Sequence, residues 1–428
     1  MKRVLIITYY WPPGGGAGVQ RWLKFSRYLP LYGIEPLILT VDPDYATYPA
    51  TDRTLENEVP EEIEVFRTRA TDYFRLFSKD KSVVPTAGFA RPEKRGFAGK
   101  IARFVRGNLF IPDPRRGWNR FAFRKGCSLI REREISTVIT TGPPHSTHLT
   151  GMKLKKRFPE IKWIADFRDP WTEIYYYSMF SHTPPARWLD RQYELSVLRR
   201  ADMVLSVGEK LSSMLSGKLP DPTGKIRTVT NGYDPADFSG IVPTTPPLFT
   251  ITYTGTLAAS YRIEGLTAAL KALSARGIKF IIQFTGIIEE GQRALLESSL
   301  PADSLSFRSY ISHREALQEM AEASVLLLII PDHPGNDVII TGKLFEYLAT
   351  GKPILCIAPP DGDAALIVQQ RDNSHVALYH DSDSIAAFLK MAADGRIGNR
   401  DPLQPDYSRK SGAGKVADLI RSLTKSPS

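Results

Sequence analysis

The residues best equipped for chemistry fall into two groups. The first is Thr341-Gly342-Lys343 with Glu346, inside the stretch Asp337 to Ala358, DVIITGKLFEYLATGKPILCIA. Gly335 and Gly342 free the backbone to approach a ligand. Thr341 stands where an N-cap would, and Leu344, Tyr347 and Leu348 repeat at i, i+3, i+4. Gly351 and Pro353 end that helix before an apolar strand, Ile354–Ala358. A helix opening on such a loop offers free N–H groups and a positive dipole end, which suits a phosphate. Glu346, one turn inside, can accept hydrogen bonds from sugar hydroxyls. The same pattern also describes an ordinary αβ unit of a Rossmann-like sheet.

The second group lies in Gly142-Pro143-Pro144-His145-Ser146-Thr147-His148 and Asp166-Phe167-Arg168-Asp169-Pro170-Trp171. Each segment follows a predicted strand, Val138–Thr141 and Trp163–Asp166, and open α/β sheets place their sites at such carboxyl ends. Two His, an Arg and two Asp in consecutive loops form the densest chemical cluster in the chain. No H-x-x-x-H or C-x-x-C spacing supports a metal there. Capping or packing is the alternative role for each His.

The elements that must position these groups read as two runs of alternating strands and helices. Strand Val4–Thr8 leads into Pro12-Pro13-Gly14-Gly15-Gly16-Ala17-Gly18, then a helix with Val19, Trp22, Leu23, Ser26 and Leu29 on one face, then strand Leu37–Val41. This βαβ opening indicates a doubly wound domain, although it lacks G-x-G-x-x-G. A helix over Trp188–Arg200 and a strand over Ala201–Val207 follow, and Asn231-Gly232 permits φ > 0 in a tight turn. Ser239–Pro247, with three prolines and no charge, reads as a linker. Strands are then predicted at Phe249–Thr254, Phe280–Phe284, Leu305–Tyr310, Val325–Ile330, Ile354–Ile357 and Val376–Tyr379. Val416, Leu419, Ile420 and Leu423 close the chain at helical spacing.

With 428 residues, 42% hydrophobic and 24% charged, the chain is long enough for two full cores and is not of disordered composition. Cys127 and Cys356 form no disulfide framework and are expected as reduced, buried thiols in a cytoplasmic protein. The longest apolar runs are strand-sized, far below the roughly 20 residues that span a bilayer. The amino-terminal Met1–Ile7 reads as a first strand, not a targeting signal. Net charge is +10, and Arg67 to Lys125 alone holds 16 Lys/Arg against 4 Asp/Glu, a local +12. Aromatics interleave with those cations, and Gly99–Arg106 fits a short basic amphipathic helix. That pattern suits an anionic membrane surface or nucleic acid, or is simply a solvated charged face.

Lys343-Leu344-Phe345-Glu346-Tyr347 with Gly351-Lys352-Pro353, and Asn231-Gly232-x-Asp234 with Phe238 downstream, resemble motifs of family 4 glycosyltransferases, the retaining enzymes of the GT-B superfamily. The GPPHS and DFRDPW segments resemble a bacterial surface-polysaccharide subgroup. The resemblance implies a GT-B fold: α/β, with two Rossmann-like doubly wound domains facing a central cleft and a C-terminal helix crossing back to the first. The expected domains are 1–240, binding the acceptor and including the basic stretch 67–125; 248–405, binding a nucleotide-sugar; and a returning helix in 406–428.

It further implies metal-independent, retaining transfer of a sugar from a nucleotide-diphospho-sugar to a glycan or lipid-linked acceptor, in cell-surface polysaccharide synthesis, with no cofactor. The protein would be cytoplasmic, peripheral at the inner face of the plasma membrane, with no nucleic-acid partner. Donor binding falls to Gly255, Thr256, Arg262, Thr341, Gly342, Lys343 and Glu346. Gly14, Gly15, Gly16 and Arg168 would lie by the acceptor and diphosphate. His145 is the expected polar contact at the transferring sugar and Asp169 the partner of the acceptor hydroxyl.

Two departures from the family pattern stand out. Its first Glu, eight residues before Glu346, is Val338 here, with Asp337 one place off register as a substitute. Its Gly-Arg-Leu is Gly255-Thr256-Leu257, which leaves Arg262 as the nearest cation. The alternatives are a GT-B sugar-nucleotide epimerase and a non-catalytic module for membrane or nucleic acid.

Overall fold

The computed structural model describes residues 1–71, 73, 104–309, 311–402 and 405–424. The start of the expected helix Gly99–Arg106 therefore lies outside the described residues, as does most of the basic stretch; residues 104–109 are helical. The chain divides into two units, Met1–Thr230 with Arg409–Ser428, and Asn231–Ser408.

The first unit is built on seven strands: β1 (Lys2–Ile7), β2 (Ile34–Val41), β3 (Val65–Thr68), β4 (Thr137–Gly142), β5 (Lys162–Phe167), β6 (Met203–Ser206) and β7 (Ile226–Thr228). They run parallel in the order β3-β2-β1-β4-β5-β6-β7. Val4–Ile7 are wholly buried because helices cover both faces of a parallel sheet. Winding reverses between β1 and β4, so the loops leaving these strands diverge there and open a crevice at their carboxyl ends. In the helix Ala17–Tyr28, Val19, Trp22, Leu23 and Ser26 are buried, as the periodicity predicts, and Leu29 continues that face into a 3-10 turn.

The terminal helix Arg409–Ser422 belongs to this unit. It buries Ala413, Val416, Ala417 and Ile420 in the same core as Trp22 and Phe25. A Cβ at Gly412 would sit 2.8 Å from the Phe25 ring, so a glycine is what lets the helix approach this closely.

The second unit has six parallel strands: β8 (Phe249–Leu257), β9 (Phe280–Ile288), β10 (Leu305–Arg308), β11 (Val325–Ile329), β12 (Ile354–Ile357) and β13 (His375–Ala377), ordered β10-β9-β8-β11-β12-β13. Its reversal lies between β8 and β11.

Several details differ from expectation. The second unit begins at Asn231, because Tyr233 pairs with Ser408 and packs with Phe238 against Leu317 and Phe345. The segment Ser239–Pro247 runs along this unit, held by Lys352 Nζ to the Thr244 carbonyl and Gln318 Nε2 to the Val242 carbonyl. Neither Asn231 nor Gly232 takes a positive φ; Asp234 instead caps the 3-10 turn Pro235–Phe238 through the Ala236 N–H. The helix expected from Trp188 starts at Pro184, proline being well suited to a first turn. Cys356 is buried, but Cys127 is only half-buried.

Candidate functional site

In the second unit, the carboxyl end of β8 and the start of the helix Gly342–Thr350 meet. Tyr347 and Lys343 fasten them: Thr254 N–H donates to Tyr347 Oη at 3.2 Å, and Lys343 Nζ donates to the Thr254 carbonyl at 3.0 Å. Lys343 Nζ also lies 3.7 Å over the centre of the Tyr253 ring, a cation–π contact. Burial pushes its ammonium down from 10.5 to about 7, with Glu346 acting weakly in the opposite direction.

Above this lysine, Gly255 adopts φ 110° and a Cβ there would lie 3.7 Å from Lys343 Nζ. Gly255 pairs with Gly286 of β9, where any Cβ would strike the Gly255 carbonyl at 2.3 Å. Two glycines side by side thus let the strand end twist open beside the cation. At Gly342 a Cβ would meet nothing within 4 Å, so the helix N-terminus faces open space. Thr341 occupies the N-cap position, but its hydroxyl makes no cap hydrogen bond and is buried without a partner among the described residues.

Glu346 follows one turn on and receives His313 Nε2 at 3.0 Å, from the neighbouring helix His313–Glu322. Arg262 is exposed and pairs with Asp332 at 2.7 Å, so two strand-end loops hold it. Val338 is buried; Asp337 lies on the 3-10 turn Asn336–Val338, which is packed against Gly362.

In the first unit, Gly14 and Gly15 are laced to residues 50–52: Gly14 bridges Thr51, and Gly15 N–H donates to the Ala50 carbonyl. Gly16, at φ 86°, is the N-cap of the helix Ala17–Tyr28; only glycine takes that conformation without strain. Arg168 spends its whole guanidinium on backbone. Nε donates to Gly142 O at 3.2 Å, Nη1 to Gly18 O at 2.6 Å and Nη2 to Pro143 O. It therefore buckles the glycine-rich helix start to the loop after β4.

His145 is stacked on Trp171, with centroids 4.9 Å apart, and Nε2 donates to the Pro170 carbonyl at 3.2 Å. A carbonyl only accepts, so the proton sits on Nε2 and Nδ1 carries a lone pair. Nδ1 is sealed from solvent and has no hydrogen-bond partner among the described residues. Burial, then the neighbouring His148, hold the ring well below its usual range and neutral. His148 is stacked on Phe167, bonded to Thr140, and depressed by burial to about 3. Nε2 is thus spent on the Pro170 carbonyl, while Nδ1 lies beside Gly142. Asp169 is half-buried, its carboxyl raised by burial against the lowering effect of Arg168, and it makes no hydrogen bond among the described residues.

Asp166 is fully engaged, by Arg21 through Nη2 at 2.9 Å and Nε at 3.2 Å, by Trp22 at 2.7 Å and by Thr141 at 2.8 Å. Sequence reasoning missed Asp190, which with Glu194 forms a carboxylate pair behind Trp171. Asp190 receives Trp171 Nε1 at 2.8 Å and Tyr177 Oη at 2.9 Å; Glu194 receives Thr172 at 2.7 Å and Lys218 at 2.6 Å. Their i, i+4 spacing was the available signal. Among the described residues no group of three or more His, Cys, Asp or Glu is placed to hold a metal ion.

No family model matches the chain, and no curated protein sequence matches it. Solved structures do. A glycosyltransferase from Rickettsia africae is similar over 100% of both chains at 12% identity, with a TM-score of 0.60. WaaG, a glycosyltransferase involved in lipopolysaccharide biosynthesis, is similar over 99% of this chain and 100% of its own, at 14% identity and a TM-score of 0.55. A Listeria monocytogenes protein assigned as a UDP-N-acetylglucosamine 2-epimerase is similar over 100% and 99%, at 12% identity and 0.53. With its two Rossmann-like parallel-sheet units, the chain has the GT-B fold these structures share.

Proposed function

We propose that the chain is a glycosyltransferase, moving a sugar from a nucleotide-diphospho-sugar to a hydroxyl of a glycan or lipid-linked acceptor with retention, in surface-polysaccharide synthesis. The observation that carries this reading is the assembly around Lys343. One half-buried cation, the N-terminus of Gly342–Thr350 and the glycine-opened end of β8 converge within the second unit, with Glu346 one turn away. That set matches a diphosphate flanked by a ribose: positive groups for the phosphates, a carboxylate for vicinal hydroxyls. Arg262, steered by Asp332, supplies a second cation.

In this reading the leaving diphosphate is stabilised by Lys343, Arg262 and the helix N-terminus, a preorganised electrostatic contribution of the kind that usually dominates. The leaving phosphate accepts the acceptor proton on the same face, so no carboxylate pair is required. Asp169 is the candidate partner for the acceptor hydroxyl. His145, shielded, enters as a positioning residue that stacks Trp171, and Arg168 as one that fixes the Gly14-Gly15-Gly16 loop. The reading calls for turnover that resists EDTA.

A thermal-shift screen with UDP-, GDP-, ADP- and TDP-sugars tests it, because a ligand of the native state raises apparent stability. The best donor is then incubated with acceptor, and the anomeric configuration of the product is read by NMR. An inverted product removes retention; no shift with any nucleotide-sugar removes the proposal. The fold likeness to the epimerase keeps a second reading, isomerisation of the donor alone, which the same incubation without acceptor detects.

A further inference from the structure

Asp190 and Glu194 stand at i, i+4 on the helix Pro184–Arg200, 1% and 0% exposed, and the reaction proposed above uses neither. Lys218 Nζ balances Glu194 at 2.6 Å, whereas Asp190 is met by an indole and a phenol. Both donors come from one segment, which leaves β5 and runs through Arg168, Asp169 and Trp171 into the 3-10 turn Tyr175–Phe180. Trp171 Nε1 donates to one oxygen of Asp190 at 2.8 Å and Tyr177 Oη to the other at 2.9 Å. A single carboxylate thus staples the segment at two points. Desolvation raises that carboxyl, and the charge of Glu194 adds to the effect. Two carboxylates buried side by side are costly, and such costs gather at functional sites.

What the staple holds is the ground on either side of Asp169. Arg168, just before it, ties the segment to the loop after β4 through the Gly142 and Pro143 carbonyls. Trp171, just after it, ties the same two loops by stacking on His145, with planes 9° from parallel. Asp169 therefore sits between two fastened residues, one held by its own guanidinium and the other by Asp190. Beyond it, Tyr177 stacks on His182 with centroids 4.1 Å apart, which fixes the turn that presents Tyr175 and Met179 to solvent.

We propose that Asp190 is a positioning residue for the acceptor: through Trp171 and Tyr177 it sets Asp169 and the turn that walls the acceptor subsite. This rests on the reading of Asp169 as the partner of the acceptor hydroxyl. What position 190 must supply is an acceptor atom, not a charge. An indole N–H only donates, so the residue must offer an oxygen to Trp171, whereas Tyr177 Oη can donate or accept. Asparagine meets both demands, with its carbonyl toward Trp171 and its amide toward Tyr177 Oη. Alanine meets neither.

The full chain and its variants Asp190→Asn, Asp190→Ala and Tyr177→Phe are compared in two assays. One is amide hydrogen exchange read by mass spectrometry. The other is transfer to p-nitrophenyl glycosides from the nucleotide-sugar that thermal shift selects. Asp190→Ala should exchange faster over 168–180 and raise KM for the glycoside at least about tenfold, as a misplacement of about 1 Å does. Its affinity for the nucleotide-sugar should not move. Asp190→Asn should restore both readouts, which a general loss of packing would not allow. Tyr177→Phe keeps Trp171 bonded and should loosen 175–180 alone, so it tests the staple even where the alanine variant does not fold. Unchanged exchange in Asp190→Ala and Tyr177→Phe, or an asparagine variant as defective as the alanine one, would overturn the staple. Faster exchange with an unchanged KM for the glycoside would overturn the acceptor role and leave the transferase reading standing. A wild type that neither shifts with a nucleotide-sugar nor transfers one removes that reading and the acceptor role together, while the exchange comparison still decides the staple.

Discussion

Lys343 Nζ lies 3.7 Å from the centre of the Tyr253 ring, over a face that is itself buried. Because burial leaves this ammonium titrating at about 7 in the free protein, anion binding and protonation are coupled there. A diphosphate favours the charged form and raises its pKa, so above pH 7 binding must take up a proton. Affinity for the nucleoside diphosphate of the best donor should fall up to tenfold per pH unit between about 7 and 9. Calorimetric titration of wild type and Lys343→Met reads this. The variant should bind weakly at pH 6 and show no such slope; a slope retained in Lys343→Met would assign the coupling elsewhere.

Glu346 meets a second test through His313. If the carboxylate holds ribose hydroxyls, Glu346→Gln removes a charge-assisted bond of about 1.5–3 kcal/mol, which is roughly 10- to 150-fold in affinity. KM for the donor should rise with kcat little changed. His313→Gln keeps a donor toward Glu346 and should stay near wild type, whereas His313→Ala should show a milder KM defect. Equal donor affinity in wild type and Glu346→Gln would exclude the ribose role.

The fold was legible because its signals are local. Val4–Ile7, Ile354–Ile357 and the helix repeat of Val19, Trp22 and Leu23 all gave periodicities that tertiary packing then obeyed. Strand β3 was missed, since Val65–Thr68 sits at the sheet edge, only partly buried and short of an apolar run. Individual roles were less legible than their location. Lys343 and Glu346 were found from a motif, but nothing in spacing shows that His313, 33 residues away, would occupy the Glu346 carboxylate. Likewise Arg168 was expected beside the acceptor and diphosphate, and only three-dimensional proximity gives its fork to three backbone carbonyls.

Asp190 should make stability depend on pH. Desolvation pushes its carboxyl from 3.8 to about 7, against the lowering hydrogen bonds from Trp171 and Tyr177. A raised carboxyl binds more protons folded than unfolded between these two values, so its contribution falls as pH rises from about 4 to about 7 and is then level. Asp190→Asn, which cannot ionise, should flatten the melting-temperature profile over that window and gain on wild type above pH 7. Parallel profiles for the two proteins would mean that Asp190 is already ionised at low pH.

Gly142 carries a confined requirement in the first unit, set by the two imidazoles. A Cβ there would come within 2.7 Å of His148 Nε2 and 2.9 Å of His145 Nδ1. Neither ring can yield: Phe167 and Thr140 hold one, Trp171 and the Pro170 carbonyl the other. Gly142→Ala should therefore destabilise by about 1–3 kcal/mol, as overpacking does, and lower the melting temperature by several degrees. His145→Ala in the same chain vacates one of the two contacts, so the double variant should lose less than the sum of the single variants, by about 0.5 kcal/mol or more. Strict additivity would mean that the strand end moves to admit the methyl, and that the two imidazoles do not define the shape of the loop that precedes Asp169.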